Sequence, residues 1–173
     1  MKKEDHDLDP VDILGNAYEK MYEDIVSGLH KAEEKSAPVL HKLIEEAKEK
    51  MTQLGEVSKE DAEKLGNYLE RDLSHLVNYL AETSRDLKKW LGFETTLIEA
   101  EFLKWMQDVA DPTVLEWLRL KEKVENAPYH TGEITGPGTL VCDSCGEELH
   151  FYKVGKIPPC PKCHGTTFHR KTT

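Results

Sequence analysis

The chain has 173 residues, of which 38% are apolar, 8% aromatic and 32% charged. This apolar content is low for one compact globule and favours amphipathic helices that each bury one stripe. No apolar run approaches the ~20 residues of a membrane-spanning helix, and the polar start shows no signal-peptide pattern. We therefore expect a cytoplasmic protein without a membrane part.

The charge is distributed unevenly along the chain. Residues 1–127 carry 29 acidic and 18 basic side chains, a net charge of −11, whereas residues 128–173 carry 4 and 5, a net charge of +1. Surfaces that bind nucleic acid neutralise phosphates with clustered lysine and arginine. Neither part has such an excess, so a nucleic-acid partner is not expected.

The first part of the chain shows apolar side chains at intervals of three and four, as in helices that bury a narrow stripe. One helix is predicted to start at Asp9-Pro10, and a second to run from Ser36-Ala37-Pro38 to about Leu54. The stripe is close to a coiled-coil seam, which favours a helical partner, including a second copy of the chain. Its residues are Val11, Leu14, Tyr18, Met21, Tyr22, Ile25, Leu29, Leu40, Leu43, Ile44, Ala47, Met51 and Leu54.

The longest uninterrupted helical pattern follows Gly55. It starts at Ser58-Lys59-Glu60-Asp61, close to a capping box, and continues to about Leu91. About 33 residues make a helix of roughly 50 Å, which needs a partner of equal length. Residues 10–54 can supply it, so a long antiparallel hairpin that turns at Gly55 is predicted. The stripe is Ala62, Leu65, Leu69, Leu73, Leu76, Leu80, Leu87, Trp90 and Leu91.

Two shorter helices are predicted next, over residues 93–109 and from Asp111-Pro112 to about Asn126. All three tryptophans, at positions 90, 105 and 117, lie in this neighbourhood. Because aromatic side chains bury the most area, they indicate the thickest part of the helical core. The inward-facing residues of the first short helix are Leu97, Ile98, Phe102, Trp105, Met106 and Val109.

The composition changes after Pro128. Three glycines and a proline between residues 132 and 138 indicate a turn-rich lead-in. Short β-like runs follow at residues 139–141, 149–154 and 166–170. The predicted fold class is therefore mainly α, with a long helical hairpin, two shorter helices and a small C-terminal β ribbon. The predicted domains are residues 1–127 and 128–173.

The four cysteines of the chain, Cys142, Cys145, Cys160 and Cys163, form two Cys-x-x-Cys pairs with 14 residues between them. This spacing is typical of a tetrahedral metal site, most often structural zinc. Because no cysteine is left for a disulfide, a reducing compartment is favoured. All-cysteine sites leave no position for water, so we expect one structural Zn²⁺. Iron in the same four thiolates is the less favoured alternative.

A Cys-x-x-Cys turn needs an unusual backbone conformation just past its second cysteine, which glycine adopts at little cost. Gly146 follows the first pair directly, whereas Gly165 follows the second pair only after His164. His164 is expected to be exposed or to lie beside the ligands. Residues 128–173 are too few for a core of their own, so metal binding is predicted to supply their folding energy, on the order of 10 kcal/mol or more.

The sequence shows no catalytic motif. His30, His41 and His75 have no second histidine four residues away, and adjacent acidic pairs such as Glu45-Glu46 point apart on a helix. There is no phosphate-binding loop, no nucleophile elbow and no cysteine outside the metal set. We therefore do not expect an enzyme.

A longer pattern surrounds the cysteines: Tyr129-His130-Thr131-Gly132-Glu133, then Gly136-Pro137-Gly138-Thr139-Leu140-Val141-Cys142, and finally Cys160-Pro161-Lys162-Cys163. It resembles the C-terminal segment of the YbeL-type zinc-ribbon proteins of proteobacteria. Leu54-Gly55-Glu56-Val57-Ser58 and Arg71-Asp72-Leu73 look like the helical region of that family. The resemblance implies an N-terminal helical domain, a rubredoxin-like ribbon, a cytosolic bacterial protein and no particular activity.

The segment Tyr129–Glu133, at the start of the lead-in Tyr129–Gly138, is interpreted as a packing hinge. In this interpretation Tyr129 docks on the helices, Gly132 turns the chain, and Glu133 caps or pairs with a ribbon lysine. A binding site is the alternative interpretation of the same segment.

Three functional hypotheses follow. The first is a non-catalytic protein-interaction or scaffold module. The second is contact with nucleic acid or with transcription or translation machinery through a basic and aromatic ribbon surface. The third is an electron carrier with iron. The residues of the basic and aromatic surface are Lys153, Lys156, Lys162, Arg170, Lys171, Tyr152 and Phe168.

Overall fold

The computed structural model describes residues 10–32, 37–82, 87–109 and 127–171 of the chain. The predicted fold class is confirmed, since the chain is mainly helical with a small antiparallel strand region that carries the four cysteines. The predicted fourth helix, with Trp117, and the first nine residues lie outside the described residues. No helix in the described ranges is long and apolar enough to cross a membrane.

Three helices form a bundle: α1 (Pro10–Lys31), α2 (Ala37–Gln53) and α3 (Lys59–Glu82). α2 runs back along α1, since Lys50 Nζ lies 2.9 Å from Asp24 Oδ2. α3 runs back along α2, since Lys48 Nζ lies 3.0 Å from Glu63 Oε2. The structure departs here from the predicted hairpin, because α1 and α2 lie side by side instead of forming one long arm.

The buried face of α1 is wider than the predicted stripe. Neighbouring residues in the chain are buried together, because α1 contacts α2, α3 and α5 at once. The residues added to the predicted stripe are Ala17 and Val26. Leu54, by contrast, was predicted to face the core but is 62% exposed, since it lies just beyond the end of α2.

The turn between α2 and α3 follows the predicted chemistry. The Glu56 N–H donates to the Met51 carbonyl at 3.0 Å, as in a Schellman motif with Gly55 at its centre. The Asp61 N–H donates to Ser58 Oγ at 3.1 Å, which is the predicted N-cap. These contacts fix the point at which α3 begins.

α4 (Leu87–Leu91) does not continue α3 in a straight line. The ring centroids of Tyr79 and Trp90 are 5.5 Å apart, whereas eleven residues of a straight helix span about 16 Å. The predicted single helix to Leu91 is therefore wrong. Folding α4 back places Trp90 in the core that α3 and α1 share, where it is buried.

α5 (Ala100–Val109) follows a 3-10 turn at Thr95–Leu97 and packs on α1. The predicted helix over residues 93–109 is thus shorter than expected. Leu97, in the 3-10 turn, is 55% exposed, so its predicted inward orientation is wrong. The other predicted inward residues are buried or half-buried: Ile98, Phe102, Trp105, Met106 and Val109.

Six short strands build the C-terminal region: β1 (Tyr129–His130), β2 (Ile134–Thr135), β3 (Gly138–Cys142), β4 (Glu148–Phe151), β5 (Gly155–Lys156) and β6 (Thr167–Arg170). One antiparallel sheet has the order β1-β6-β3-β4, and β2 pairs with β5. The three predicted β-like runs correspond to β3, β4 and β6. Phe168 of β6 lies opposite Tyr129 of β1 and opposite Cys142 of β3.

The buried apolar side chains form two clusters. The larger belongs to the helical bundle but also includes Ile134 and Val154, so the ribbon region packs directly on the helices. The smaller cluster lies within the ribbon and consists of Tyr129, Leu140, Cys142, Leu149, Ile157, Cys160 and Phe168. The division into domains at residues 127 and 128 stays a prediction.

Candidate metal centre

The four cysteine sulfurs lie close together. Cys142 Sγ is 3.5 Å from Cys163 Sγ, Cys145 Sγ is 3.6 Å from Cys160 Sγ, and all four lie within 4.8 Å of one another. Four Zn–S bonds of ~2.3 Å place tetrahedral sulfurs about 3.8 Å apart. The cage therefore fits one ion of this size. Among the described residues, it is the one group of histidine, cysteine or acidic side chains spaced to hold a metal.

The two Cys-x-x-Cys turns have the same backbone hydrogen bonds. The Gly146 N–H donates to the Cys142 carbonyl and the His164 N–H donates to the Cys160 carbonyl, both at 2.9 Å. The N–H groups of Cys142 and Cys160 donate to the carbonyls five residues further on, at 2.8 and 2.9 Å. Two matching turns thus present two sulfurs each to one central point.

The residue after the second cysteine has a left-handed backbone in both turns, with φ of 77° at Gly146 and 61° at His164. In the second turn, His164 itself therefore adopts the left-handed conformation, and the glycine that follows it does not. The His164 side chain is exposed, as predicted.

Gly165 meets a different requirement. A Cβ at this position would lie 3.1 Å from Cys142 Sγ and 3.2 Å from Cys163 Sγ. The Gly165 N–H donates to Cys163 Sγ at 3.4 Å. The missing side chain therefore lets the backbone approach the sulfur cage.

Crowding separates the pKa values of the thiols. The Glu147 backbone N–H lowers the pKa of Cys145, but burial and the three other thiols raise it to about 12. Burial raises the pKa of Cys160, but the backbone N–H groups of Cys163 and Lys162 lower it to about 7. Cys145 therefore becomes a thiolate at neutral pH only when a cation compensates its charge.

A second polar group lies where the ribbon region meets the bundle, and its centre is Asp72 of α3, which is 5% exposed. Asp72 Oδ2 accepts hydrogen bonds from the Tyr18 hydroxyl and from the Gly136 N–H, the latter at 3.0 Å. Its Oδ1 accepts one from Arg71 Nε at 3.2 Å and lies 3.5 Å from Arg170 Nη2. One carboxylate therefore joins α1, α3, β6 and the segment after β2.

Arg71 extends this contact towards β1 and β2. It forms an ion pair with Glu133 and donates to the Ile134 carbonyl at 3.2 Å. Its guanidinium lies 3.8 Å from the centre of the Tyr129 ring, a cation–π contact. The prediction of a ribbon lysine as the partner of Glu133 is therefore wrong. Tyr129 docks on the helices as predicted, with its hydroxyl 2.7 Å from His75 Nδ1.

Arg170 enters the same group from β6 and is 4% exposed. Its Nη2 donates to Thr135 Oγ1 at 3.0 Å and to the Tyr129 hydroxyl at 3.2 Å. Its guanidinium lies 5.0 Å from the Trp90 ring. A Cβ on Gly138 would lie 2.4 Å from Arg170 Nη1, so the backbone of β3 closes over this arginine. We call the whole group the clasp: Tyr18, Arg71, Asp72, Tyr129, Glu133, Thr135 and Arg170.

The clasp contains groups found in catalytic centres, but it has no room for a substrate. The cavity beside Tyr18, Asp72 and Arg170 measures about 10 Å³, the space of about one water molecule. Burial raises the pKa of Tyr18, and the Asp72 charge raises it further, so this hydroxyl stays protonated and donates. The clasp is therefore a joint between the two parts of the chain.

The clasp was not predicted as a site, although the sequence contains a signal for it. Asp72 lies three residues after Leu69 and four before Leu76, on the buried face of α3. An unpaired charge on such a face costs several kcal/mol. The buried position of Asp72 therefore indicates that this carboxylate has a partner. Helical periodicity does not reveal which residue the partner is, because it lies far along the chain, at position 170.

Comparison with known proteins agrees with the predicted resemblance. A family model described as a zinc-ribbon containing domain, DUF1451, matches residues 27–172. The chain is 33% identical over 76 residues to the uncharacterized protein YbeL of Escherichia coli strain K12, and equally to YbeL of strains O6:H1 and O157:H7. The matched stretch covers 43% of this chain and 48% of each relative.

No solved structure matches the chain. The family model, however, covers most of it, including Asp72 and all four cysteines. The chain therefore belongs to the family of proteins that contain this zinc-ribbon domain.

Proposed function

We propose that this protein is a non-catalytic zinc-ribbon module that binds another protein in a reducing compartment such as the cytoplasm. One structural Zn²⁺ is held by Cys142, Cys145, Cys160 and Cys163, and the clasp fixes the ribbon to the acidic helices. The observation that carries the proposal is the sulfur cage, in which four thiolates use all four tetrahedral positions. Such a site stabilises a fold and leaves no position for a reacting water.

The acidic helices offer a groove for a basic partner. This groove, of about 290 Å³, lies between α1 and α5, with Ile13 and Trp105 among its lining residues. The acidic residues that line it are Glu19, Glu23, Glu56 and Glu101. A lysine or arginine of a partner can therefore meet carboxylates and an aromatic ring together.

Among the described residues that line this groove, four carboxylates face one lysine. Lys20 is the basic residue that lines it, and its Nζ lies 2.9 Å from Glu56 Oε1. Burial raises the pKa of Glu19, the nearby charges of Glu99 and Glu101 raise it further, and the charge of Lys153 lowers it in part. A cation from a partner would relieve this repulsion. The apolar stripes, by contrast, are already buried within one chain, so they do not favour a second copy as the partner.

The nucleic-acid alternative has less support. Phe168 is fully buried and Arg170 is 4% exposed, so neither belongs to the predicted basic and aromatic surface. Lys171 Nζ lies 2.7 Å from Glu148 Oε1, which neutralises its charge. Lys153, Lys156 and Lys162 remain exposed, and Lys162 Nζ lies 3.9 Å from Glu147 Oε2. Three lysines are too few for the clustered charge that phosphate binding requires.

Metal analysis of the purified chain tests the proposed cofactor. We expect one zinc ion per chain and a colourless protein, whereas iron bound by four thiolates would give a coloured one. The Cys160→Ser variant should lose the metal, and Ser144→Ala, in the same region but without a sulfur change, should keep it. A native chain purified under reducing conditions without stoichiometric metal would contradict the proposal.

Affinity capture tests the proposed partner. The double variant Glu23→Gln/Glu101→Gln should lose a basic protein that the native chain binds, and binding should weaken with salt. The matched control is Glu46→Gln/Glu49→Gln, which removes two charges from the exposed face of α2. Equal binding by both double variants, or binding that disappears after nuclease treatment, would contradict a basic protein in this groove.

A further inference from the structure

We propose that the helical bundle responds to whether the ribbon holds its metal, and that the clasp transmits this state to α3 and α1. The inference builds on the zinc site of the proposed function. Loss of the metal releases the ribbon from the bundle and uncovers the polar face of α3.

The first step is the dependence of the ribbon core on the sulfur cage. Of the seven buried side chains that form this core, two are Cys142 and Cys160. Cys142 lies opposite Phe168 where β3 pairs with β6, and Phe168 is fully buried. Without an ion, the four thiols no longer join the two turns, so this pairing loses its support.

The second step is the position of the ribbon residues that contact the helices. Tyr129 lies opposite Phe168 across β1 and β6. Arg170 follows Phe168 by two residues on β6, so both side chains point to the same face of the sheet. The residues that join the ribbon to the bundle are thus set in place by the strand that pairs with Cys142.

The third step is the charge balance on each side of the clasp. When the ribbon leaves, Asp72 keeps Arg71 and Tyr18 as partners on the bundle, while Arg170 and Glu133 leave with the ribbon. Each side then carries one cation and one carboxylate. A buried charge left without its partner is costly. On the ribbon side, Arg170 keeps the Tyr129 and Thr135 hydroxyls and Glu133 keeps His130 as hydrogen-bond partners. Both charges also reach water once the ribbon leaves, so the interface can open.

The same interface stays closed while the ribbon is folded. Ile134 and Val154 are buried in the apolar cluster of the bundle, and opening exposes them. The Thr139 hydroxyl also donates to the Leu91 carbonyl at 2.6 Å, which ties β3 to α4. The folded ribbon therefore favours the docked state, and the unfolded ribbon cannot form these contacts.

Hydrogen exchange of the full chain tests the inference. The zinc-loaded protein is compared with the same protein after treatment with a zinc chelator and a thiol reductant, with metal content measured in both samples. Exchange in residues 127–171 and in α3 peptides around residues 68–77 should become at least about tenfold faster after metal removal. α2 peptides around residues 40–50, which contribute no clasp residue, should change much less.

Two results separate the inference from the proposed function. If the ribbon exchanges faster but residues 68–77 do not, the coupling is absent although the zinc site exists. If the native chain holds no zinc, the proposed function itself fails.

A variant that breaks the clasp without touching the sulfurs completes the test. The Asp72→Asn variant should still bind zinc, but its backbone amides at residues 68–77 should exchange fast even in the zinc-loaded protein. Removing the zinc should then accelerate exchange there only a little. Asp24→Asn, which removes a half-buried carboxylate of α1 that lies outside the clasp, should behave like the native chain. If circular dichroism shows that Asp72→Asn does not fold, Thr135→Val removes a clasp hydroxyl from the ribbon side. If the folded variant shows the same hydrogen exchange as the native chain, both with zinc and without it, the proposal is overturned.

Discussion

The helical bundle and the ribbon are stabilised by different means, although they meet at one interface. The bundle, together with α4 and α5, buries a continuous set of aliphatic and aromatic side chains, and its stability follows from the area removed from water. The ribbon's own apolar core has seven buried side chains, and two of them are cysteines of the sulfur cage. One chain therefore contains a part that folds by apolar burial and a part that depends on an ion, and each should fail under a different treatment.

Metal removal should have the largest effect, and it should unfold the ribbon while the helices stay folded. A chelator, or the Cys160→Ser variant, is expected to remove roughly 10 kcal/mol of binding free energy from the ribbon. The helical signal in far-UV circular dichroism should persist, because no helix contributes a sulfur. Limited proteolysis should then cut within residues 127–171. Cleavage and loss of signal throughout the chain would show that the two parts do not differ in this way.

A second experiment destabilises the helical bundle instead of the ribbon. It uses Leu69→Ala, at a fully buried position of α3. The lost burial and the resulting cavity should lower the free energy of unfolding of the bundle by about 2–5 kcal/mol. Urea denaturation followed by circular dichroism measures this change, with Asn67→Ala on the exposed face of α3 as control. Zinc should remain bound in the folded variant. If the variant lost zinc before its helices unfolded, the bundle and the ribbon would not be stabilised by separate means.

Gly165→Ala should disturb the ribbon alone. The added Cβ lies too close to Cys142 Sγ and Cys163 Sγ, so the cage must shift, at a cost of roughly 1–3 kcal/mol. Competition with a chelator should show weaker zinc binding. Gly155→Ala is the matched control, since a Cβ there would lie 3.8 Å from its nearest neighbour, an ordinary contact. Equal affinities for the two variants would mean that the close approach at Gly165 has no consequence.

His164→Gly should have the smallest effect, and it should be stabilising. A left-handed residue other than glycine costs about 1–2 kcal/mol, so replacing His164 relieves strain in the second turn. Gly146→Ala introduces the same strain into the first turn and should weaken zinc binding by a similar amount. Chelator competition measures both. Shifts in the same direction would show that the two turns are not equivalent.

The sulfur cage and the interior faces of the helices were predictable from the sequence because each follows from local spacing. The Cys-x-x-Cys pairs place their sulfurs within one turn, and the stripe of α3 repeats every three or four residues from Ala62 to Leu80. Side-chain spacing of this kind is set by the geometry of the element itself.

The return of α2 along α1 and the partners of Arg71 and Asp72 were not predictable in the same way. A narrow stripe does not show how many neighbours a helix has, and α1 contacts three other helices and two strands. Arg71 pairs with Glu133, which lies 62 residues further along the chain. Such a contact is decided by the packing of the ribbon region on the bundle, which no local pattern reports.

The contact between Asp72 and Arg170 joins residues 98 positions apart in the chain. At about 5–20 residues synthesised per second, roughly 5–20 s pass on the ribosome between these two residues. The contacts among α1, α2 and α3 are shorter in sequence and can form first. During that interval the polar face of α3 is open to solvent, and its charged residues keep it hydrated instead of exposing an apolar surface that could aggregate. Ribbon docking should therefore follow the assembly of α1, α2 and α3 in the nascent chain.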